Sequence, residues 1–222
     1  MSWTLHPINA SGQLDTVLEP VLDAIERARV RIESAVAPCT LDVVVQAWPG
    51  CVIERFGFVG YAPTADMIQL TVDPHNPNLT DHLGEPFERM VAHEYHHTLR
   101  CVAPGYGRTL GEALVSEGLA GHFARELYRN PPEHYEDALD PDALDELAPL
   151  ALTHWDDAAY DHPRWFFGAR DLPVHAGYTL GYVLVGTHLD ACAESSAAGL
   201  AHEPASSFVA SFRASTCRAR RP

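Results

Sequence analysis

The sequence predicts an α+β fold, in which a small N-terminal β-sheet is followed by a mainly helical part. Three segments, 41–47, 56–61 and 66–72, are rich in β-branched and aromatic residues and are separated by connectors containing Pro and Gly, which is typical of short strands. Beyond them, apolar residues recur at intervals of three and four, which indicates amphipathic helices. With 222 residues, 46% of them hydrophobic, the chain is long enough to bury the core of one domain.

The elements are expected to follow one another along a single domain. An amphipathic helix over 15–34 comes first, and Pro20 is expected to delay its start or to kink it. Together with the strands, this helix forms an N-terminal part of about residues 10–80. A mainly helical part over about 81–190 and a C-terminal helical extension over about 191–222 complete the predicted domain.

The helical part opens with the pattern His93-Glu94-x-x-His97. A helix over about 85–100 is predicted, because acidic residues suit its N-terminal end and an arginine suits its C-terminal end. Residues four apart lie on one helix face, so His93 and His97 can direct imidazole nitrogens at one zinc ion. Glu94 stands beside them, where a carboxylate can take a proton from a metal-bound water. The alternative is that two surface histidines are four residues apart by chance.

A zinc site with two histidines needs a third protein ligand. The metzincin arrangement requires Gly at position 100 and His at position 103, whereas this chain has Arg100 and Ala103, so that class is excluded. A second helix can supply a glutamate instead. Residues 110–124 have a helical pattern, and the turn-rich connector 104–108 lets this helix fold back towards the first.

Glu117 is the preferred third ligand on this second helix. It lies 20 positions after His97, which is enough to leave one helix, turn and bring a carboxylate back to the metal. The small neighbours Gly118 and Gly121 allow a close approach between helices. Two other residues of the helix remain possible ligands, Glu112 and His122.

These motifs resemble a known class of enzymes. H-E-x-x-H at 93–97, followed by S-E-G-L-A at 116–120, resembles the gluzincin branch of HExxH zinc metallopeptidases. The chain is similar, more closely, to a bacterial family of small predicted zinc-dependent proteases, which carry a later G-Y-x-x-G-Y-like segment, here at 177–182. The resemblance covers about residues 40–190 and implies a compact zincin-like fold that binds Zn²⁺ and hydrolyses peptide bonds, with Glu117 on the third-ligand helix. It departs from thermolysin-like enzymes in lacking an N-E-x-x-S-D match around that glutamate.

The later segment is expected to place a side chain near the metal. Pro173 can start a helix, and Gly177 with Gly181 leaves a groove for another helix backbone. Peptide hydrolysis at zinc passes through a tetrahedral oxyanion, which a tyrosine hydroxyl or a neutral histidine can stabilise. The family-like motif favours Tyr178 for this role, with His175 as the second candidate. The alternative is that both residues only contribute to packing.

The expected partner is a peptide or protein substrate. In zincins, the sheet edge beside the metal-binding helix pairs with the substrate backbone, so strand 66–72 is the predicted binding edge. An interior strand without a ligand role is the alternative. The formal net charge of −15 argues against nucleic acid and anionic membranes as partners. The sequence does not indicate an oligomeric state. An N-terminus without a signal-like segment predicts a cytoplasmic location.

The sequence therefore predicts a zinc metallopeptidase that hydrolyses peptide bonds with Glu94 as the general base. Two alternatives remain open. The first is a zinc-binding protein of zincin fold with a non-catalytic or regulatory role, although the intact Glu94 argues against it. The second is a zinc hydrolase of a non-peptide substrate, which would use the same ligands.

Overall fold

The computed structural model describes residues 3–169, 171–192 and 194–218. Residues 219–222, at the end of the predicted C-terminal extension, lie outside this part. The elements are β1 (Trp3–Ile8), α1 (Leu18–Glu33), β2 (Leu41–Ala47), β3 (Phe58–Thr64), β4 (Met67–Val72), α2 (Leu79–His82), α3 (Glu85–Val102), α4 (Leu110–Tyr128), α5 (Pro141–Thr153), α6 (His162–Phe166), α7 (Ala176–Ala191), a 3-10 turn (Ala205–Phe208) and α8 (Val209–Arg218).

The predicted α+β class is confirmed, with a small sheet followed by many helices. The chain divides after Cys101 into two compact units, so the single domain stays a prediction. No helix in the described part of the chain is long and apolar enough to cross a lipid bilayer.

The first unit contains a mixed four-stranded sheet with the strand order β1-β2-β4-β3. Strand β2 runs parallel to both β1 and β4, and β3 is antiparallel to β4. Side chains alternate between the two faces of a strand, and this sheet buries one of them. The buried side chains of β2 and β4 that share this face are Leu41, Val43, Val45, Ile68, Leu70 and Val72.

The prediction that strand 66–72 is a sheet edge is wrong. Strand β4 pairs with β2 on one side and with β3 on the other, so its backbone groups have no open side for an added strand. The alternating pattern of 66–72 reflects a sheet with one covered face, and that pattern is the same for an interior and an outer strand. Within the described residues, the outer strands are β1 and β3.

Strand β3 is irregular at both ends. Ile53 forms an isolated antiparallel bridge with Phe58 at the start of the strand. Near its end, the register with β4 shifts between Tyr61 and Thr64, as in a β-bulge. The segment 59–62 therefore lies between a bridged start and an irregular end.

Helix α3 lies against the sheet of the first unit. Its Phe87 ring meets Phe58 of β3 edge to face, with centroids 5.0 Å apart. Two turns later, the Tyr95 ring stacks on Trp3 of β1, with centroids 5.7 Å apart. Because these contacts involve both outer strands, α3 crosses the sheet, and its middle turns lie between the two contacts.

Helix α1 begins later than the periodicity alone suggests, as Pro20 predicted. The helix starts at Leu18, so Pro20 falls in its first turn. A missing N–H has no consequence there, because the first four N–H groups of a helix have no partner within the helix.

The second unit is helical, and α4 is buried along almost its whole length. Helices α4 and α7 approach closely at two glycines. A Cβ atom at Gly118 would overlap the carbonyl oxygen of Gly181, and a Cβ atom at Gly181 would overlap the carbonyl oxygen of Leu114. This contact confirms the close helix approach expected from Gly118 and Gly181. Of the other two predicted positions, Gly121 lies against the side chains of Glu136 and Tyr182, and Gly177 lies against the Phe166 ring.

Candidate metal centre

Two histidines of α3 converge as the sequence predicts. The Nε2 atoms of His93 and His97 lie 3.1 Å apart, and the two rings are nearly perpendicular, at 81°. Both side chains are buried. Two ligands of a tetrahedral zinc ion, each at about 2.0 Å from it, stand about 3.3 Å from one another. The observed spacing is therefore what a shared metal ion requires.

Glu94 is packed against strand β3. A Cβ atom at Gly60 of this strand would overlap the side chains of Glu94 and Met90. The missing side chain at position 60 thus leaves the room that the Glu94 side chain occupies. Sequence reasoning missed Gly60, although a glycine inside a strand is a known sign that another group approaches the backbone closely.

Helix α4, which carries Glu117, begins with a capping box. The Thr109 hydroxyl accepts a hydrogen bond from the Glu112 backbone N–H at 3.3 Å, and the Glu112 carboxylate accepts one from the Thr109 N–H at 3.0 Å. The Glu112 carboxylate also accepts a bond from the Arg108 N–H at 2.7 Å. Such a box fixes the residue at which a helix begins. Glu112, one of the competing ligands, is therefore engaged at the start of α4.

The other competing ligand, His122, packs against α7. Its Nε2 lies 2.9 Å from the Tyr182 carbonyl oxygen, and its ring stacks on the Tyr182 ring with centroids 4.1 Å apart. Burial lowers the pKa of His122, which favours the neutral imidazole. Both alternatives to Glu117 thus have structural roles within the second unit.

Among the residues that the structure describes, one group of three has the composition of a metal site. The candidate ligand atoms of His93, His97 and Glu117 all lie within 4.8 Å of one another. Two imidazoles and one carboxylate form the donor set of catalytic zinc sites, in which the fourth position stays open for water. The structure therefore brings the three predicted ligands together, and their donor chemistry fits zinc.

Tyrosine side chains surround Glu117 within the second unit. The Tyr106 hydroxyl donates a hydrogen bond to Glu117 Oε1 at 2.7 Å. Burial and then the negative charge of Glu117 raise the pKa values of Tyr106 and Tyr160. Burial is also the main cause of the raised pKa of Tyr135, followed by the charges of Glu136, Glu133 and Glu117. These phenols therefore keep their protons and can act as hydrogen-bond donors. Sequence reasoning missed all three, because no local pattern distinguishes them from packing tyrosines.

Tyr178 and His175 lie at the start of α7. The centroid of the Tyr178 ring lies 5.1 Å from that of Tyr135 and 5.0 Å from that of Phe166. An electrostatic interaction with Tyr178 also contributes to the raised pKa of Tyr106. His175 precedes the helix with a φ of 68°, and its ring centroid lies 5.5 Å from that of His134 and 6.0 Å from that of Tyr178. Burial is the main cause of its lowered pKa. The catalytic roles of both residues stay predictions.

The fold and the ligand cluster can now be compared with known proteins. Residues 18–210 match a family described as "Predicted Zn-dependent protease (DUF2268)". A comparison with curated proteins gives no match. The matched range includes strands β2, β3 and β4 and the three candidate ligands, and it extends beyond the 40–190 over which the motifs indicated a resemblance. The chain belongs to this family of predicted zinc-dependent proteases.

Proposed function

We propose that the protein is a zinc-dependent metallopeptidase with a zincin-like, gluzincin-type site. His93, His97 and Glu117 are the metal ligands, and Glu94 is the general base. The observation that carries this proposal is the grouping of the three ligand atoms within 4.8 Å of one another. A zinc ion held there would supply a water that is acidic enough to ionise near neutral pH and would polarise the scissile carbonyl.

The chain's own residues carry the proton and stabilise charge. Glu94 takes the proton of the attacking water and returns it to the leaving amine. Its place against Gly60 limits how far the carboxylate can move. A hydroxyl from Tyr178 donates a hydrogen bond to the oxyanion of the tetrahedral intermediate. His175 is the second candidate for this role, because burial lowers its pKa and so favours the neutral imidazole, which can donate a hydrogen bond.

The proposed substrate is an extended peptide or protein segment, which pairs with the outer side of β3. This strand replaces 66–72 as the binding edge, because it is the outer strand that contacts Glu94. Backbone hydrogen bonds to such an edge align a peptide without reading its sequence. A peptide paired with the outer side of β3 would thus be separated by this one strand from the carboxylate that takes the proton.

Removal of one predicted ligand is expected to remove the metal. Purified wild-type protein should contain about one zinc per chain, and His97→Ala and Glu117→Ala should each contain almost none after dialysis, because two remaining ligands hold zinc weakly. Elemental analysis measures this directly. Glu112→Gln is the matched control, since Glu112 lies on the same helix and caps its start.

Two results of this experiment would contradict the assignment. Full zinc content in Glu117→Ala would place the third ligand elsewhere. A wild-type protein that takes up no zinc, even when it is supplied in excess, would remove the enzyme proposal altogether.

A methyl group at position 60 is expected to impair hydrolysis without loss of zinc. Gly60→Ala forces the Glu94 side chain away from the strand, and a displacement of about 1 Å can slow an enzymatic reaction about 100-fold. We expect a large fall in kcat, measured by peptide cleavage. Gly84→Ala is the control, because its Cβ would meet open space. Equal rates in wild type and Gly60→Ala would show that the contact with Glu94 has no part in the reaction.

A further inference from the structure

Two hydrogen bonds of opposite direction connect Tyr106 with the Ser116-Glu117 pair. The Tyr106 hydroxyl donates to Glu117 Oε1 at 2.7 Å. In return, the Ser116 hydroxyl donates to the backbone carbonyl oxygen of Tyr106 at 2.5 Å. The Tyr106 side chain thus binds Glu117. Ser116, the residue before Glu117, binds the Tyr106 backbone. We call this arrangement the Tyr106 clamp.

The backbone around Tyr106 supports the same placement. Gly105 and Gly107 have φ values of 103° and 121°, which residues with a side chain rarely adopt. A Cβ atom at Gly107 would overlap the Glu112 side chain, which belongs to the capping box of α4. The connector therefore approaches the first turn of α4 at a fixed place, and Tyr106 reaches Glu117 from there.

We propose that Tyr106 is a positioning residue, which holds the Glu117 carboxylate so that it offers the metal one oxygen. This inference rests on the proposed function, because it requires Glu117 to be a ligand. A carboxylate can bind a metal through one oxygen or through both. Binding through both would fill a position that a three-ligand site keeps for water. A phenol bonded to Oε1 draws charge from that oxygen and restrains rotation of the carboxylate.

Tyr160, a second tyrosine near Glu117, has its hydrogen bond with a different side chain. The Tyr160 hydroxyl lies 3.1 Å from His162 Nδ1, and its pKa is raised by burial and then by Glu117. Tyr160 is therefore affected by the charge of Glu117, but its hydroxyl forms a hydrogen bond with another side chain. Tyr160→Phe serves as the matched control for Tyr106→Phe, since each variant removes a single hydroxyl.

The test measures metal binding and metal geometry, not activity alone. Wild type, Tyr106→Phe and Tyr160→Phe are titrated with zinc against a chelator, and their Co²⁺-substituted forms are examined by visible absorption. Loss of an outer-shell partner typically weakens metal binding about 10–100-fold, and we expect this of Tyr106→Phe only. A second carboxylate oxygen on Co²⁺ raises its coordination number and lowers the intensity of its visible bands, which we also expect of this variant alone.

The outcomes separate this inference from the proposed function. If Tyr106→Phe has the wild-type affinity and spectrum, or if Tyr160→Phe changes as much, the clamp has no positioning role, although the metallopeptidase proposal stands. If the wild type binds neither metal, the proposed function itself fails. Thermal unfolding of the metal-free variants checks that they fold. Should Tyr106→Phe not fold, Ser116→Ala tests the clamp from its other bond, with a smaller change in the same direction expected and an unchanged spectrum counting against it.

Discussion

Glu94→Gln is expected to abolish peptide hydrolysis and to leave zinc binding unchanged. The amide has nearly the same shape as the carboxylate, so it fits against Gly60, but it cannot take a proton from the attacking water. A general base typically contributes about 10²–10⁴-fold to the rate. We expect a fall of that size in kcat/KM, measured with a mixture of fluorogenic peptides, beside zinc content by elemental analysis. Glu85→Gln, an exposed glutamate of the same helix, is the control.

Three other results of the Glu94→Gln experiment would contradict parts of the proposed function. Loss of zinc in Glu94→Gln would give Glu94 a structural role in place of the proton transfer. A wild-type rate in this variant would place the general base elsewhere. Zinc binding by a wild type that cleaves no peptide would favour the two alternatives, a non-catalytic zinc protein or a hydrolase of another substrate.

Gly118→Ala is expected to destabilise the protein, although alanine is the better helix former. In a solvent-exposed helix this change stabilises by about 1 kcal/mol, because glycine has more backbone freedom to lose. Here the added methyl group overlaps the Gly181 carbonyl oxygen, and both partners are backbone atoms that cannot turn away. Such overpacking costs about 1–3 kcal/mol. Urea unfolding of the metal-free protein, followed by circular dichroism, gives the free energy of unfolding.

This test is decided by whether Gly118→Ala lowers or raises the free energy of unfolding. Gly84→Ala is the control for the added methyl group, because nothing lies within reach of its Cβ atom. Gly84 immediately precedes α3, so we expect a change of at most about 1 kcal/mol, which is typical of an N-cap substitution. A Gly118→Ala variant that is as stable as wild type, or more stable, would show that α4 and α7 do not meet at these glycines.

The sequence was most informative where local patterns determine structure. Helix α3 was predicted over about 85–100 and spans Glu85–Val102, because its periodic apolar residues and its charged ends agree. Helix geometry alone predicted the convergence of the histidine pair, whereas the length of the connector left Glu112 and His122 open beside the preferred Glu117. Both predictions depend on contacts between residues that are close in sequence.

Long-range pairing could not be predicted in the same way. The alternation in 66–72 indicates a strand but does not reveal its neighbours, so the outer position was assigned to β4 and belongs to β3. Strand β1 was missed, because His6-Pro7 interrupts its pattern and proline is rare in strands. Tyr106 was missed because its role depends on a hydrogen bond to a residue 11 positions away.

The two outer strands also bear on how the protein avoids aggregation. An unpaired strand edge can recruit other chains into a growing sheet, and proline within it limits this, since proline has no N–H to donate. Pro7 lies in β1 and Pro63 in β3, and Ile53 already covers the start of β3. Within β3, the stretch between these obstacles is only 59–62. Such an opening can accept a few residues of a flexible chain, and its four residues are fewer than the roughly six or seven of the segments that typically stack into fibrils.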